Sequence, residues 1–200
     1  VLHQMNKTDD LVFYDDYNTD TPEKPFGKFP VLRSPEQAYD YFKSKDNSFT
    51  IGIGNPILRK RMFDKFTDLG GKITLTVSSK ASIADFGVEI HDGVNIMNNA
   101  VLSSDITIGF GTIIYYNAVI THDVQVGEFV EVSPGAILLG RFKVGNYSQI
   151  GSHPTILPDI IVGDNVIIGA GDVVTKDVPD NTLVAGVPVV VKKILEPLSL

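Results

Sequence analysis

From Ile90 onward an apolar residue recurs at every sixth position: Ile90, Ile96, Leu102, Ile108, Ile114, Ile120, Val126, Val132, Leu138, Val144, Ile150, Ile156, Val162, Ile168 and Val174. Apolar residues make up 43 % of the chain, so fifteen in one register arise by chance on the order of once in a few hundred thousand trials. Six is not a helical period, and the interspersed glycines would weaken any helix. A hexad fits a short strand plus a corner, with the recurring residue pointing inward. Three hexads then close a triangular coil of 18 residues, and coils stack at the strand spacing of about 4.8 Å. Ile108-Gly109, Val126-Gly127, Val144-Gly145 and Val162-Gly163 repeat at that same interval. The Gly and Asn residues are expected at corners that need positive φ. The reading is a parallel β-helix over 78–179, roughly five to six coils.

Residues 1–77 lack the hexad. Leu11–Tyr14 reads as a strand ending in Asp15-Asp16, and 17–30 as a proline-bearing loop. Ser34-Pro35-Glu36-Gln37 is a capping box opening a helix to about Lys45. Phe49–Ile53 reads as a buried strand, Gly54-Asn55-Pro56 as the turn into a second helix that stops at Gly70-Gly71, and Ile73–Val77 as the closing strand. The pattern predicts a small, open, parallel α/β (Rossmann-like) sheet over 1–77, ahead of a β-helix and tail over 78–200. Ligands of such sheets bind beyond the strand carboxyl ends. Those ends carry Asp15 and Asp16, suited to ribose hydroxyls, and Gly52, Gly54 and Asn55, suited to phosphate at a helix N-terminus. The G-x-G-x-x-G fingerprint is absent, as if a first strand and its glycine turn lay upstream of Val1.

The chain has 17 Lys+Arg against 24 Asp+Glu, a net charge of −7. That balance argues against a nucleic-acid partner, and no apolar run approaches the roughly 20 residues that span a bilayer. Zero cysteines remove thiolate metal sites and a Cys nucleophile, and fit a reducing, cytoplasmic setting. Of the histidines His3, His91, His122 and His153, only His122 falls at a mid-prism corner with a carboxylate, Asp123, beside it. That pair suits a general base near neutral pH. No metal is expected, since three histidines would have to converge on one ion. Serine-hydrolase elbows and Walker loops are absent.

The hexad ladder, the His122-Asp123 corner, Gly169-Ala170-Gly171-Asp172-Val173-Val174 and Val184-Ala185-Gly186-Val187-Pro188 resemble the hexapeptide-repeat acyltransferases. The resemblance is to the branch with an N-terminal α/β domain, which holds nucleotide-amino-sugar N-acetyltransferases and the sialic acid O-acetyltransferases. It implies a left-handed β-helix, a homotrimer, acetyl-CoA between neighbouring prisms, and a nucleotide-linked amino sugar as acceptor in surface glycan synthesis. By that resemblance His122 and Asp123 are catalytic and the Gly140 amide receives the thioester oxygen. Ala170, Gly186, Val187 and Pro188 line the pantetheine arm, with Lys192 or Lys193 meeting phosphate. Asp15, Asp16, Gly52, Gly54, Asn55 and Arg59 face the sugar nucleotide. The sequence departs from the family at Tyr115, where relatives carry Asn, and at Glu131, where one carries a second His; both alter the acceptor pocket. Sugar O-acetylation, and a non-catalytic β-helical nucleotide-binding or assembly protein, are the competing readings.

Overall fold

The computed structural model describes residues 1–199. From Thr76 the chain winds into a three-sided prism of parallel rungs, each two or three residues long. The first face holds the rungs Thr76–Val77, Asn95–Ile96, Ile113–Ile114, Glu131–Val132, Gln149–Ile150 and Ile167–Ile168. The second holds Ser82–Ile83 through Val173–Val174, and the third Val88–Ile90 through Ile161–Val162. Partners lie one 18-residue coil apart, as in Ile113↔Glu131, Val119↔Ile137 and Gln125↔Lys143. The expected register is therefore the observed one.

The ladder residues from Ile96 to Val174 are all buried, Val144 the least at 5 % exposure. Ile90, in the first full coil, is only half-buried. Each corner adds a second inward residue, among them Ala100, Ala118, Val130 and Ala136. Two of these are hydroxyls and satisfy themselves locally. Thr112 Oγ1 donates to Gly127 O (2.8 Å) and accepts from Val130 N (2.9 Å), and Ser148 does the same with Gly163 and Val166 at 2.9 Å each. Burial of this continuous apolar column, at about 25 cal/mol per Å², holds coils together that could not stand singly.

The corners differ from expectation in one respect. Positive φ is taken by the expected Asn and Gly residues, such as Asn99, Asn117, Gly93 and Gly111, but also by Asp105, Asp123, Arg141 and His153. Gly109, Gly127, Gly145 and Gly163 keep ordinary φ and are needed for close approach instead. A Cβ on Gly127 would sit 2.7 Å from Asn146 Oδ1, and one on Gly145 or Gly163 would strike Asp164 or Asp180. Those side chains reach back to accept the preceding coil's N–H: Glu128 N to Asn146 (2.8 Å), Asn146 N to Asp164 (2.6 Å), Asp164 N to Asp180 (2.9 Å).

Ahead of the prism, strands β1 (Phe13–Tyr14) and β2 (Val31–Leu32) pair in parallel, as do β3 (Ser48–Phe49) and β4 (Lys72–Ile73). Helix α1 (Pro35–Ser44) starts at Ser34, whose side chain accepts from Gln37 N, and Gln37 takes the Arg33 N–H at 2.6 Å. Helix α2 (Pro56–Asp68) is capped by Asn55 Oδ1, which accepts from Ile57 N and Leu58 N at 3.1 Å each. β2 lies between the expected loop of 17–30 and the capping box, a stretch given no element because two residues carry no readable period. One expectation needs correction. Ile73–Val77 is not one strand: Lys72–Ile73 pairs with β3, while Thr76–Val77 already forms a rung against Asn95–Ile96. Phe49, Ile51, Phe66 and Ile73 form the front core, and Phe63 reaches the prism at Phe110, ring centroids 5.0 Å apart, and Phe129 at 5.9 Å.

Candidate functional site

His122 lies on the corner joining Val119–Ile120 of the second face to Gln125–Val126 of the third. Asp123 takes φ 60 there, and its Oδ2 meets His122 Nδ1 at 2.7 Å. That contact fixes the tautomer with Nδ1 as donor, leaving Nε2 able to accept a proton. Both side chains are about half exposed. One coil on, the imidazole covers the bare Cα of Gly140, where a Cβ would stand 2.8 Å from Nε2. The Gly140 N–H donates to no backbone group among the described residues. A base, its orienting carboxylate and a free amide donor thus share one corner, the parts that acyl transfer to an amine or hydroxyl requires. Beyond them Arg141 makes a two-point ion pair with Asp159 (2.5 and 2.8 Å), which holds the Asp159 carboxyl below its usual range.

The other expected residues fall elsewhere. Ala170 and the Gly186-Val187-Pro188 turn lie together at the corner of the first and second faces, the far edge of the second face from His122. Val187 projects with 72 % exposure, and Lys192 and Lys193 are exposed on the last strand. His153 occupies that same corner above Gly135, so His122 and His153 do not approach each other. Among the described residues no three His, Asp or Glu converge as metal ligands, and no helix is long and apolar enough to cross a membrane.

Of the front residues, Gly54 meets the first face. Gly54 packs its Cα against Glu131 and Tyr115: a Cβ would lie 2.6 Å from Glu131 Oε1 and 3.1 Å from the Tyr115 hydroxyl. Glu131 Oε2 accepts from Gln149 Nε2 at 2.8 Å. Burial, then the Glu131 charge, raises the Tyr115 hydroxyl above its ordinary value. Asp15 closes its own loop, accepting from Asn18 N (2.9 Å), Tyr17 N (3.2 Å) and Thr21 Oγ1, which holds it well below the carboxylate range. Asp16 is engaged by Lys65 and by the Tyr14 hydroxyl. Gly52 has open space around it.

Arg59, expected to face the nucleotide, is fully buried. Its guanidinium donates to Gly111 O (2.8 Å), Ile51 O (2.7 Å), Ile53 O (2.8 Å) and Asn95 Oδ1 (2.8 Å). Asn95 in turn donates to Thr50 and Thr76 at 2.6 Å each. Arg59 is therefore a strut between the Gly52–Asn55 turn and the prism. Burial pulls its guanidinium down to about 10, which leaves it a cation at neutral pH.

Sequence reasoning missed Asn95 and Asp172. Asp172 stands in the inward column of Ala100, Ala118 and Ala136, is 5 % exposed, and accepts from Gly186 N at 2.8 Å. Its break in an otherwise small, apolar column was the available signal.

Residues 1–66 match the family described as the PglD N-terminal domain. Among solved structures, a histidine variant of perosamine N-acetyltransferase from Caulobacter crescentus, in complex with CoA and GDP-perosamine, is 27 % identical. Its TM-score is 0.82, covering 88 % of this chain and 82 % of that one. This chain is similar over nearly its whole length to hexapeptide-repeat sugar acetyltransferases. The acetyltransferase domain of PglB from Neisseria gonorrhoeae FA1090, in complex with acetyl coenzyme A, is 26 % identical at TM-score 0.83, covering 94 % and 89 %. WeeI from Acinetobacter baumannii AYE is 27 % identical at TM-score 0.83, covering 95 % and 90 %. The prism has the left-handed β-helix fold of these acetyltransferases, the parallel coil expected from the repeat and the hand implied by the resemblance. No curated protein sequence matches.

Proposed function

We propose that this chain moves the acetyl group of acetyl-CoA directly onto the amine of a nucleotide-linked amino sugar, with His122 as general base. The carrying observation is the His122–Asp123 contact of 2.7 Å, set over Gly140 at an open corner. The acceptor nitrogen attacks the thioester carbonyl, forming the C–N bond while Nε2 takes the nitrogen's proton. The Gly140 amide offsets negative charge on the carbonyl oxygen. Collapse breaks the C–S bond, and the departing sulfur leaves as the thiol with a proton returned from the imidazolium. No acyl-enzyme is needed. The CoA and GDP-perosamine bound by the similar structures support both substrate classes.

The topology also supports an assembly of prisms. His122's corner joins the second and third faces, whereas Gly54, Tyr115 and Glu131 gather at the first, on the opposite side of a triangular section. One acceptor held by the front turn reaches a catalytic corner only if that corner belongs to a neighbouring copy. The outward positions of the second face supply an apolar stripe, with Val101 40 % and Ile137 37 % exposed beside Val119 and Val173. A homotrimer follows from this reading; a stable monomer in light scattering at micromolar concentration overturns the shared site.

The deciding assay incubates the protein with acetyl-CoA and a panel of nucleotide-linked amino sugars, GDP-perosamine included. The expected product gains one acetyl group that survives mild base, as an amide does and an ester does not. His122→Ala should lower kcat about 10²–10⁴-fold while retaining fold and CoA affinity. Full activity in His122→Ala would move the base elsewhere.

A further inference from the structure

Phe86 is 79 % exposed, the most exposed aromatic ring of the prism. Its position is not arbitrary. Asp105 N donates to Phe86 O, Asp123 N to Ser104 O, and Arg141 N to His122 O. These bonds place Phe86, Ser104, His122 and Gly140 in one column along a single edge of the prism, one coil apart each. Phe86 is thus two rungs from His122, about 10 Å along the axis, on the side away from Gly140. Gly87, next to it, has φ 67, and any Cβ there would strike Asp105. The turn is therefore drawn tight against the coil below and presents the ring outward.

We infer that Phe86 is a specificity-determining residue, an aromatic platform against which the apolar face of the acceptor's sugar ring packs. The inference rests on the proposed transfer reaction. There the thioester lies toward Gly140, so the body of the acceptor extends the other way from His122, over Ser104 toward Phe86. A pyranose attacked at one edge spans the intervening rung and brings its C–H-bearing face to the phenyl ring. Ser104 offers a hydroxyl between them, and Asp105 is exposed on the same edge. Aromatic burial of this kind contributes apolar area without holding any reacting atom, so it acts on acceptor binding and leaves the chemical step alone.

The test compares wild type with Phe86→Ala and Phe86→Trp, using the amino-sugar nucleotide that wild type acetylates fastest. Phe86→Ala should raise the acceptor KM about tenfold, leave the acetyl-CoA KM and kcat within about twofold, and leave the melting temperature and oligomeric state unchanged. Phe86→Trp should restore the acceptor KM. An unchanged acceptor KM in Phe86→Ala overturns the platform alone, the transfer reaction standing. A changed oligomeric state or a lowered melting temperature overturns it in favour of packing against a second copy. Absence of transfer to every amino sugar by wild type overturns the reaction and the platform together, a result distinct from the other two.

Discussion

The imidazole of His122 rests on Gly140 of the next coil, its Cε1 only 2.6 Å from where a Cβ would stand. Gly140 has no positive φ, so alanine fits its backbone. Gly140→Ala should therefore fold and assemble normally while tilting the ring off the corner. A misplacement of about 1 Å costs on the order of 10² in rate. Steady-state kinetics should show kcat falling by about that factor with little change in melting temperature. Wild-type kcat would mean that the observed ring position is not the working one.

Arg59 should matter for stability at the front rather than for direct contact with ligand. Arg59→Met removes the donors to Gly111 O, Ile51 O, Ile53 O and Asn95 Oδ1. Leaving buried acceptors unmatched costs about 1–3 kcal/mol each, so a loss of roughly 3 kcal/mol or more is expected. Arg59→Lys should fall between, since an ammonium cannot reproduce the fork. Limited proteolysis should cut 1–75 in Arg59→Met before it touches the prism.

Val144 and Asn146 test the register. Val144 pairs with Val126 inside the ladder at 5 % exposure, so Val144→Asp buries an unpaired carboxylate at a cost of several kcal/mol, about 3 or more. Asn146→Asp keeps the acceptor for Glu128 N and adds charge near Asp164, a surface effect within about 1 kcal/mol. Denaturant melts should separate the two variants clearly; equal midpoints would contradict the observed coil.

Acid should loosen the front loop. The carboxyl of Asp15 is held below its ordinary value by the amides of Asn18 and Tyr17 and the Thr21 hydroxyl. A depressed carboxyl contributes stability that is complete above its unfolded value and lost as pH falls below it. Melting temperature should therefore decline as pH drops below the usual carboxylate range, and Asp15→Asn should flatten that slope. An identical slope in both proteins would exclude Asp15 as a source.

The middle of the prism was legible because an apolar residue recurs at fifteen positions six apart, and local periodicity is the strongest signal a sequence carries; the first rung and the closing hairpin lie outside that period. His122 and Asp123 were legible for the same reason, since the register assigns every residue to a corner or a face. The role of Arg59 was not. A basic residue in the first turns of a helix reads as a surface group, and only the tertiary approach of Gly111 and Asn95 shows it to be interior. The glycine pairs were found by spacing but explained wrongly, because a sequence shows a glycine without showing whether φ or a neighbouring side chain demands it.

The hairpin of Thr182–Gly186 and Val189–Ile194 adds one parallel rung on Ile167–Ile168 and then an antiparallel one. A stack of parallel coils ends in a naked row of amides and carbonyls, onto which any further coil, its own or another molecule's, could template in register. Reversing the last strand breaks that match on the first face. Without it, the first face would end in an open parallel edge, the kind onto which a second chain can pair.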